Sequence, residues 1–109
     1  MKIKIAKDFS ANPGPRSRDE GEFSGEQFRE EVLLPKVRQA LLGGENLEID
    51  LDGTAGYGTS FLEEAFGGLI RDKVLTYDDA KKRLTFISVE EDYLPGDIDG
   101  YMKDAAQNA

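Results

Sequence analysis

Residues 47–71 constrain the fold of this chain more than any other segment, because they join a strand pattern, a glycine-rich loop and a helix pattern without interruption. Apolar and acidic residues alternate from Leu47 to Leu51, which is the period of a strand with one buried face. After three glycines, apolar residues recur at helical spacing from Phe61 to Ile70. The pattern predicts a strand whose carboxyl end leads through a loop into a helix.

Two hydroxyl side chains, Thr59 and Ser60, stand at the predicted start of this helix. Ser60 and Glu63 have the spacing of a capping box, in which the hydroxyl accepts a hydrogen bond from a free backbone N–H. A hydroxyl beside free N–H groups and the positive end of a helix dipole can also bind or accept a phosphate. The spacing alone leaves both interpretations open.

Three segments, Gly21 to Pro35, Ile49 to Gly53 and Gly56 to Leu69, are similar to the bacterial STAS-like domains grouped as a family of unknown function. The strand, loop and helix also resemble the centre of STAS domains in anti-sigma-factor antagonists. The resemblance implies a compact α/β domain with helices packed on a small mixed sheet. It also implies a regulatory or adaptor protein that binds a histidine-kinase-like ATPase or an anti-sigma-type kinase.

Carried onto this chain, the phosphoacceptor serine of the antagonists falls on Ser60, and Thr59 is the hydroxyl before it. The implied partner- or ligand-binding surface comprises these two residues with Tyr57, Gly58 and Phe61. The antagonists have aspartate at the position of Gly58 and glycine at that of Phe61. Because an acidic residue helps to orient the Mg-nucleotide of a kinase, its absence counts against phosphorylation but not against the fold.

The composition excludes several classes of catalyst. The 109 residues contain no cysteine and no histidine, and the formal net charge is −8. Thiol nucleophiles, imidazole bases and the classical triads are therefore excluded, and we expect a protein that is not an enzyme and has no cofactor or metal. The acidic balance argues against nucleic acid as a partner. No apolar run approaches the ~20 residues of a membrane span, which predicts a cytoplasmic protein without membrane contact.

The loop from Gly53 to Ser60 supports a second functional hypothesis, a small-ligand or nucleotide sensor in which the loop and the helix start cradle an anion. It ranks second because the loop lacks the lysine of a P-loop. A hydrolase using Asp50, Asp52, Glu63 and Glu64 is the least favoured hypothesis. Asp50 is more simply interpreted as lying on the outer face of the sheet or as tethering the turning loop through backbone N–H groups.

The first long helix is marked by local signals. Ser24 and Gln27 fit a capping box, and Phe23 and Phe28 occupy the positions of a hydrophobic staple. We expect the helix to begin at Ser24 or Gly25. Pro35 lies inside the helical pattern, where it predicts a bend within one helix.

The remaining segments complete a single domain over residues 1–109. Residues 1–6 read as an edge strand with exposed lysines. Thr76 is predicted to cap a short helix that leads to a strand at 84–89, parallel to the central strand and buried on both faces. Residues 97–109 predict a weaker C-terminal helix with a frayed end.

The sequence also allows expectations for an arginine-containing loop, a pair of helical glycines and the loop after the last strand. Arg16 and Arg18 lie in a loop that is either mobile or contacts a carboxylate or phosphate. Gly67-Gly68 costs about 1 kcal/mol per residue in a helix interior, which predicts a closely packed neighbour. The loop from Glu90 to Gly96 is expected at the same carboxyl edge as Ser60, where it would extend the partner-facing surface.

Overall fold

Three short parallel strands form the sheet of this protein, whose computed structural model describes residues 1–108. They are β1 (Lys2–Lys4), β2 (Leu47–Asp50) and β3 (Leu84–Ile87), in the order β1-β2-β3. The predicted α/β class is confirmed, and the sheet is parallel throughout where mixed strand directions were expected. Ala109, at the end of the predicted C-terminal segment, lies outside the described residues.

The inner face of the sheet is an apolar row that crosses all three strands. Ile3 pairs with Ile49, which pairs with Phe86, and partners in register point to the same face. Ile3 and Ile49 are fully buried, and the Phe86 ring lies 5.4 Å from the ring of Phe66, which lies in the helix that follows β2. This row forms the floor on which the helices pack.

The outer face of the sheet is polar. Lys2 lies opposite Glu48, with 3.6 Å between the ammonium and the carboxylate, and Lys4 lies 3.2 Å from Asp50 in the same way. Thr85 of β3 is exposed on this face. The prediction that the last strand is buried on both faces is therefore wrong, because β3 lies at the sheet edge and its outer face meets water. The position of β1 at the opposite edge is confirmed.

The helices cover the inner face. They are α1 (Ile5–Asp8), α2 (Gly25–Phe28), α3 (Leu34–Gly43), α4 (Thr59–Leu62), α5 (Gly68–Arg71), α6 (Tyr77–Arg83) and α7 (Leu94–Gln107), with a 3-10 turn at Arg18–Glu20. A π-helical segment, Arg29–Leu33, joins α2 to α3 in the first long helix, residues 25–43. A second one, Glu63–Gly67, joins α4 to α5 in the central helix, residues 59–71. In this described part of the chain, no helix combines the length and apolarity needed to cross a membrane.

The first long helix begins where the sequence predicts. The Ser24 hydroxyl accepts a hydrogen bond from the Gln27 N–H at 3.0 Å, which confirms Ser24 as the N-cap. The Gln27 side chain accepts from the N–H of Phe23 at 3.1 Å, one residue earlier than in a capping box. Thr76 likewise caps α6 by accepting from the Asp79 N–H at 3.1 Å, as predicted.

Pro35 does not divide the first long helix. It lies at the start of α3, directly after the π-helical segment, in which the Leu34 N–H donates to the carbonyl of Arg29. A π-helical turn inserts one residue and changes which carbonyl accepts from each N–H. Such turns and prolines are both common at irregular points of helices. The expectation of one continuous helix through Pro35 is confirmed.

A cluster of phenylalanine rings joins the helices above the sheet. The ring of Phe28 is fully buried and lies 5.8 Å from Phe61 and 6.2 Å from Phe66. The predicted staple between Phe23 and Phe28 is wrong, because Phe9 occupies the space between them, 5.6 Å from Phe23 and 5.2 Å from Phe28. Phe23 is left 39% exposed, with a left-handed backbone at φ 54°.

Two glycines allow the first long helix and the central helix to touch. A Cβ on Gly25 would lie 2.5 Å from the carbonyl oxygen of Phe61, and a Cβ on Gly68 would lie 2.8 Å from Cζ of Arg29. The nearly buried Arg29 guanidinium donates to the Glu64 carboxylate across this contact. The packing neighbour predicted for the glycine pair is confirmed at Gly68, and it is an arginine side chain.

The aromatic cluster predicts unequal effects for two phenylalanines. Phe28→Ala should lower the free energy of unfolding by about 3–5 kcal/mol, because a fully buried ring is removed from contact with three others. Phe23→Ala should cost far less, since its ring is partly in solvent. Urea denaturation of both variants measures the difference, and equal midpoints would contradict the assigned packing.

The contact between the two helices predicts that alanine at two helical glycines changes the stability of the protein in opposite directions. Gly68→Ala should destabilise the protein, because a clash with the held Arg29 costs about 1–3 kcal/mol and exceeds the gain of about 1 kcal/mol in helix propensity. Gly100→Ala, in α7 with no atom within 4 Å of the new Cβ, should stabilise it. Thermal denaturation of the pair tests this, and a more stable Gly68→Ala variant would contradict the contact.

Candidate functional site

Two loops meet at the carboxyl edge of the sheet, one after β2 (residues 51–58) and one after β3 (residues 88–93). The Asp52 carboxylate accepts hydrogen bonds at 3.0 Å from the N–H groups of Val89 and Glu90. The Glu90 carboxylate in turn accepts from the Gly53 N–H at 2.5 Å. The two loops are therefore joined by reciprocal side-chain to backbone bonds.

Asp50 and Asp52 act as tethers. The Asp50 carboxylate accepts from the Asp52 N–H at 2.9 Å, and Lys4 donates to it at 3.2 Å, which confirms the tether interpretation of Asp50. Backbone hydrogen bonds from Glu90 and Val89 lower the pKa of Asp52 below its ordinary 3.8. Sequence reasoning missed this contact, because its partners lie 37 and 38 residues apart in the chain.

The central helix begins without a side-chain cap. Gly58 is the N-cap residue in an extended backbone, Thr59 is the first helical residue and Ser60 the second. The predicted capping box of Ser60 and Glu63 is wrong, because the helix has Gly58 as its N-cap, and the Glu63 carboxylate instead accepts from Arg16 at 2.6 Å and from Arg71. Both hydroxyl residues are exposed.

Tyr57 and Phe61 belong to the support beneath this helix start. Phe61 is fully buried, so the expectation that it contributes to a binding surface is corrected. The Tyr57 ring lies 5.9 Å from the Phe61 ring, and its hydroxyl donates to the Leu51 carbonyl at 2.7 Å. Burial raises the pKa of Tyr57 to about 12. The placement of Tyr57 on a freely exposed binding surface is therefore wrong, because its ring packs against Phe61.

The residues that remain at the surface are Gly58, Thr59 and Ser60, which together are called the helix-start surface below. Earlier N–H groups of the same loop already have acceptors within the chain. Gly53 donates to Glu90, Ala55 donates to the Ala11 carbonyl at 2.8 Å, and Gly56 donates to the Thr54 hydroxyl at 3.2 Å. The loop thus has fewer free donors for an anion than its glycine content indicates.

The loop with two arginines is attached to the helices. Arg16 contacts the carboxylates of Glu63 at 2.6 Å and Glu64 at 3.4 Å, and Arg18 contacts Glu30 at 3.0 Å. The hydrogen bond to Glu63 raises the pKa of Arg16. Burial raises the pKa of Glu63, but hydrogen bonds from Arg71 and Arg16 outweigh it and leave that pKa lowered. Of the two interpretations that the sequence left open for this loop, the structure supports contact with carboxylates for both arginines.

The tether at Asp52 predicts an acid-sensitive component of stability. Because its folded pKa lies below 3.8, the tether stabilises the protein above that pH and is lost as the pH falls through the folded pKa. Asp52→Asn should therefore show a smaller loss of stability below about pH 4 than the natural sequence, measured as urea midpoints against pH. Asp104→Asn, at an exposed position of α7, is the matched control and should keep the full acid loss. Identical curves for Asp52→Asn and the natural sequence would contradict the tether.

The comparisons with known proteins agree with this architecture. Residues 24–94 match the family described as a STAS-like domain of unknown function (DUF4325). The match runs from the N-cap Ser24 to Leu94, the first residue of α7. It therefore includes the first long helix, the central helix, β2 and β3. Searches of curated proteins and of solved structures found no match. Since the matched segment is more than half of the chain, the protein belongs to the STAS-like family of unknown function, as its sequence resemblance predicts.

Proposed function

We propose that this domain is a non-enzymatic regulatory or adaptor module that binds a protein partner through its helix-start surface. The observation behind this proposal is the exposed position of Thr59 and Ser60 at a helix start that neither side chain caps. A hydroxyl that stabilises its own helix would be a structural residue. These two are available for contacts outside the chain.

The support beneath the helix-start surface favours binding. Phe61 and Leu62, which follow it directly, are buried in the core, and Tyr57, which precedes it, is fixed to Leu51 by a hydrogen bond. A surface on a rigid base loses little conformational entropy when a partner is bound. The helix-start surface is therefore preformed, which suits it to binding a partner.

The class of partner is taken from the resemblance to the STAS domains of anti-sigma-factor antagonists. STAS domains of the antagonist kind imply a histidine-kinase-like ATPase or an anti-sigma-type kinase as the partner, and Ser60, with Thr59 as the second candidate, is the phosphoacceptor position. A phosphate would add about −1.5 to −2 charges, which a helix N-terminus tolerates. The same charge would disturb a partner surface that fits a neutral hydroxyl.

The alternative, a small-ligand or nucleotide sensor, has less support. Gly53, Ala55 and Gly56 already donate their N–H groups within the chain. The acidic side chains of Asp52 and Glu90 lie at the same edge and repel phosphate groups. Titration with ATP and GTP, followed by calorimetry, tests it directly, and saturable binding would favour the sensor over the adaptor.

Substitutions at Ser60 test the adaptor function. Ser60→Ala should change stability by less than about 0.5 kcal/mol, because Ser60 is exposed and does not cap its helix, and it should keep partner binding. Ser60→Asp should also keep the fold but weaken binding by about tenfold or more, since it places a charge on the contact surface. Gln39→Glu, which adds a charge at an exposed position of α3, is the matched control and should bind normally.

The partner is obtained by affinity capture from the native host with mass spectrometry, and each variant is then titrated with the purified partner. Equal affinities for Ser60→Asp and Gln39→Glu would contradict binding at the helix-start surface. A substrate-consuming activity of the isolated domain would contradict its assignment as a non-enzymatic module.

A further inference from the structure

The loop after β3 presents two large apolar side chains to solvent. Val89 is 81% exposed and Tyr93 is 57% exposed, within the loop of residues 88–93 that is called the β3–α7 loop below. Single exposed apolar residues are common on protein surfaces. Here the pair lies at the sheet edge used by the proposed function, which makes a contact role worth testing.

The backbone beneath these side chains is held in place. The Asp52 carboxylate binds the N–H groups of Val89 and Glu90 at 3.0 Å, and the Ser88 hydroxyl donates to the Glu91 carbonyl at 2.5 Å. The loop then enters α7 at a buried residue, Leu94. Val89 is therefore exposed from a fixed loop, and ordering it against a partner costs little entropy.

The surroundings of the pair are acidic. Glu90, Glu91, Asp92 and Asp97 fall within or directly after the β3–α7 loop, and residues 88–97 contain no lysine or arginine. A surface with apolar side chains among carboxylates is complementary to apolar side chains among cations. It repels nucleic acids and anionic membranes, whose surfaces carry phosphates.

We infer that the β3–α7 loop binds a protein segment whose apolar side chains are flanked by lysine or arginine. Val89 and Tyr93 contact the apolar side chains of that segment, the carboxylates pair with its cations, and Asp52 is the positioning residue that holds the loop. This inference rests on the proposed function, because the β3–α7 loop and the helix-start surface follow adjacent parallel strands and can face one partner. It adds the chemistry of the partner surface.

A synthetic amphipathic helix of leucine and lysine is the probe, with a leucine and glutamate helix as its control. Titration into the isotope-labelled full chain, followed by amide NMR spectra, should shift the signals of residues 88–93 and leave those of α3 unchanged. The lysine peptide should bind and the glutamate peptide should not. Binding should weaken as salt is raised, because part of the attraction is between exposed charges.

Variants separate the apolar contact from general charge attraction. Val89→Ser and Tyr93→Ser should each weaken peptide binding by about tenfold, the loss expected for a central apolar contact. Leu42→Ser removes a side chain that is 91% exposed on α3 and should not change the affinity. Asp92→Asn should weaken binding more than Asp104→Asn on α7, because only Asp92 lies in the loop.

Three outcomes would overturn the inference: equal binding of both peptides, signal shifts centred outside residues 88–93, or equal affinities for Val89→Ser and Leu42→Ser. Ser60→Asp and Val89→Ser, titrated with the captured natural partner, distinguish the two proposals. If Ser60→Asp weakens binding and Val89→Ser does not, the inference fails and the proposed function stands. If only Val89→Ser weakens binding, the helix-start surface fails and the loop contact stands.

Discussion

The contact between the first long helix and the central helix is the constraint on which the rest of the fold depends. Gly25 allows the backbone of the first long helix to approach that of the central helix, Gly68 makes room for the Arg29 side chain, and Arg29 donates to Glu64 across the contact. A nearly buried guanidinium without a carboxylate partner would be strongly destabilising, so this pair permits few other arrangements of the helices. Because the two helices are fixed in this way, the phenylalanine cluster packs on the inner face of the sheet, and the central helix begins at the carboxyl edge of the sheet.

The π-helical segments belong to the same contact. Arg29 lies in the first and Glu64 in the second, so both partners of this ion pair come from turns wider than an α-helix. An inserted residue rotates the side chains that follow it, and such turns are common where a helix must direct a particular side chain. The apolar periodicity of the sequence indicates where the helices lie but does not reveal these inserted residues, so neither π-helical segment could be predicted.

Whether a contact could be predicted from the sequence depends on how far apart its two residues lie along the chain. Ser24 and Thr76 cap their helices as predicted, because each hydroxyl and its N–H partner lie within one helical turn. Ser60 has the same local signal, yet Glu63 is bound by Arg16 from 47 residues away. Phe9 likewise displaces the local contact predicted for the first long helix. Strands, helices and the exposed hydroxyls could be predicted, whereas contacts decided by competition from distant residues could not.

The polar outer face of the sheet has a consequence for how a partner approaches. Parallel sheets are usually covered on both faces, and here the lysines of β1 are instead paired with Glu48 and Asp50 across the strands. These pairs neutralise the outer face locally, while the carboxylates of the β3–α7 loop keep their charge. The electric field of this acidic chain is therefore uneven in direction. If the proposed basic partner binds at the carboxyl edge, these carboxylates attract it before contact, and salt should then act mainly on the rate of association.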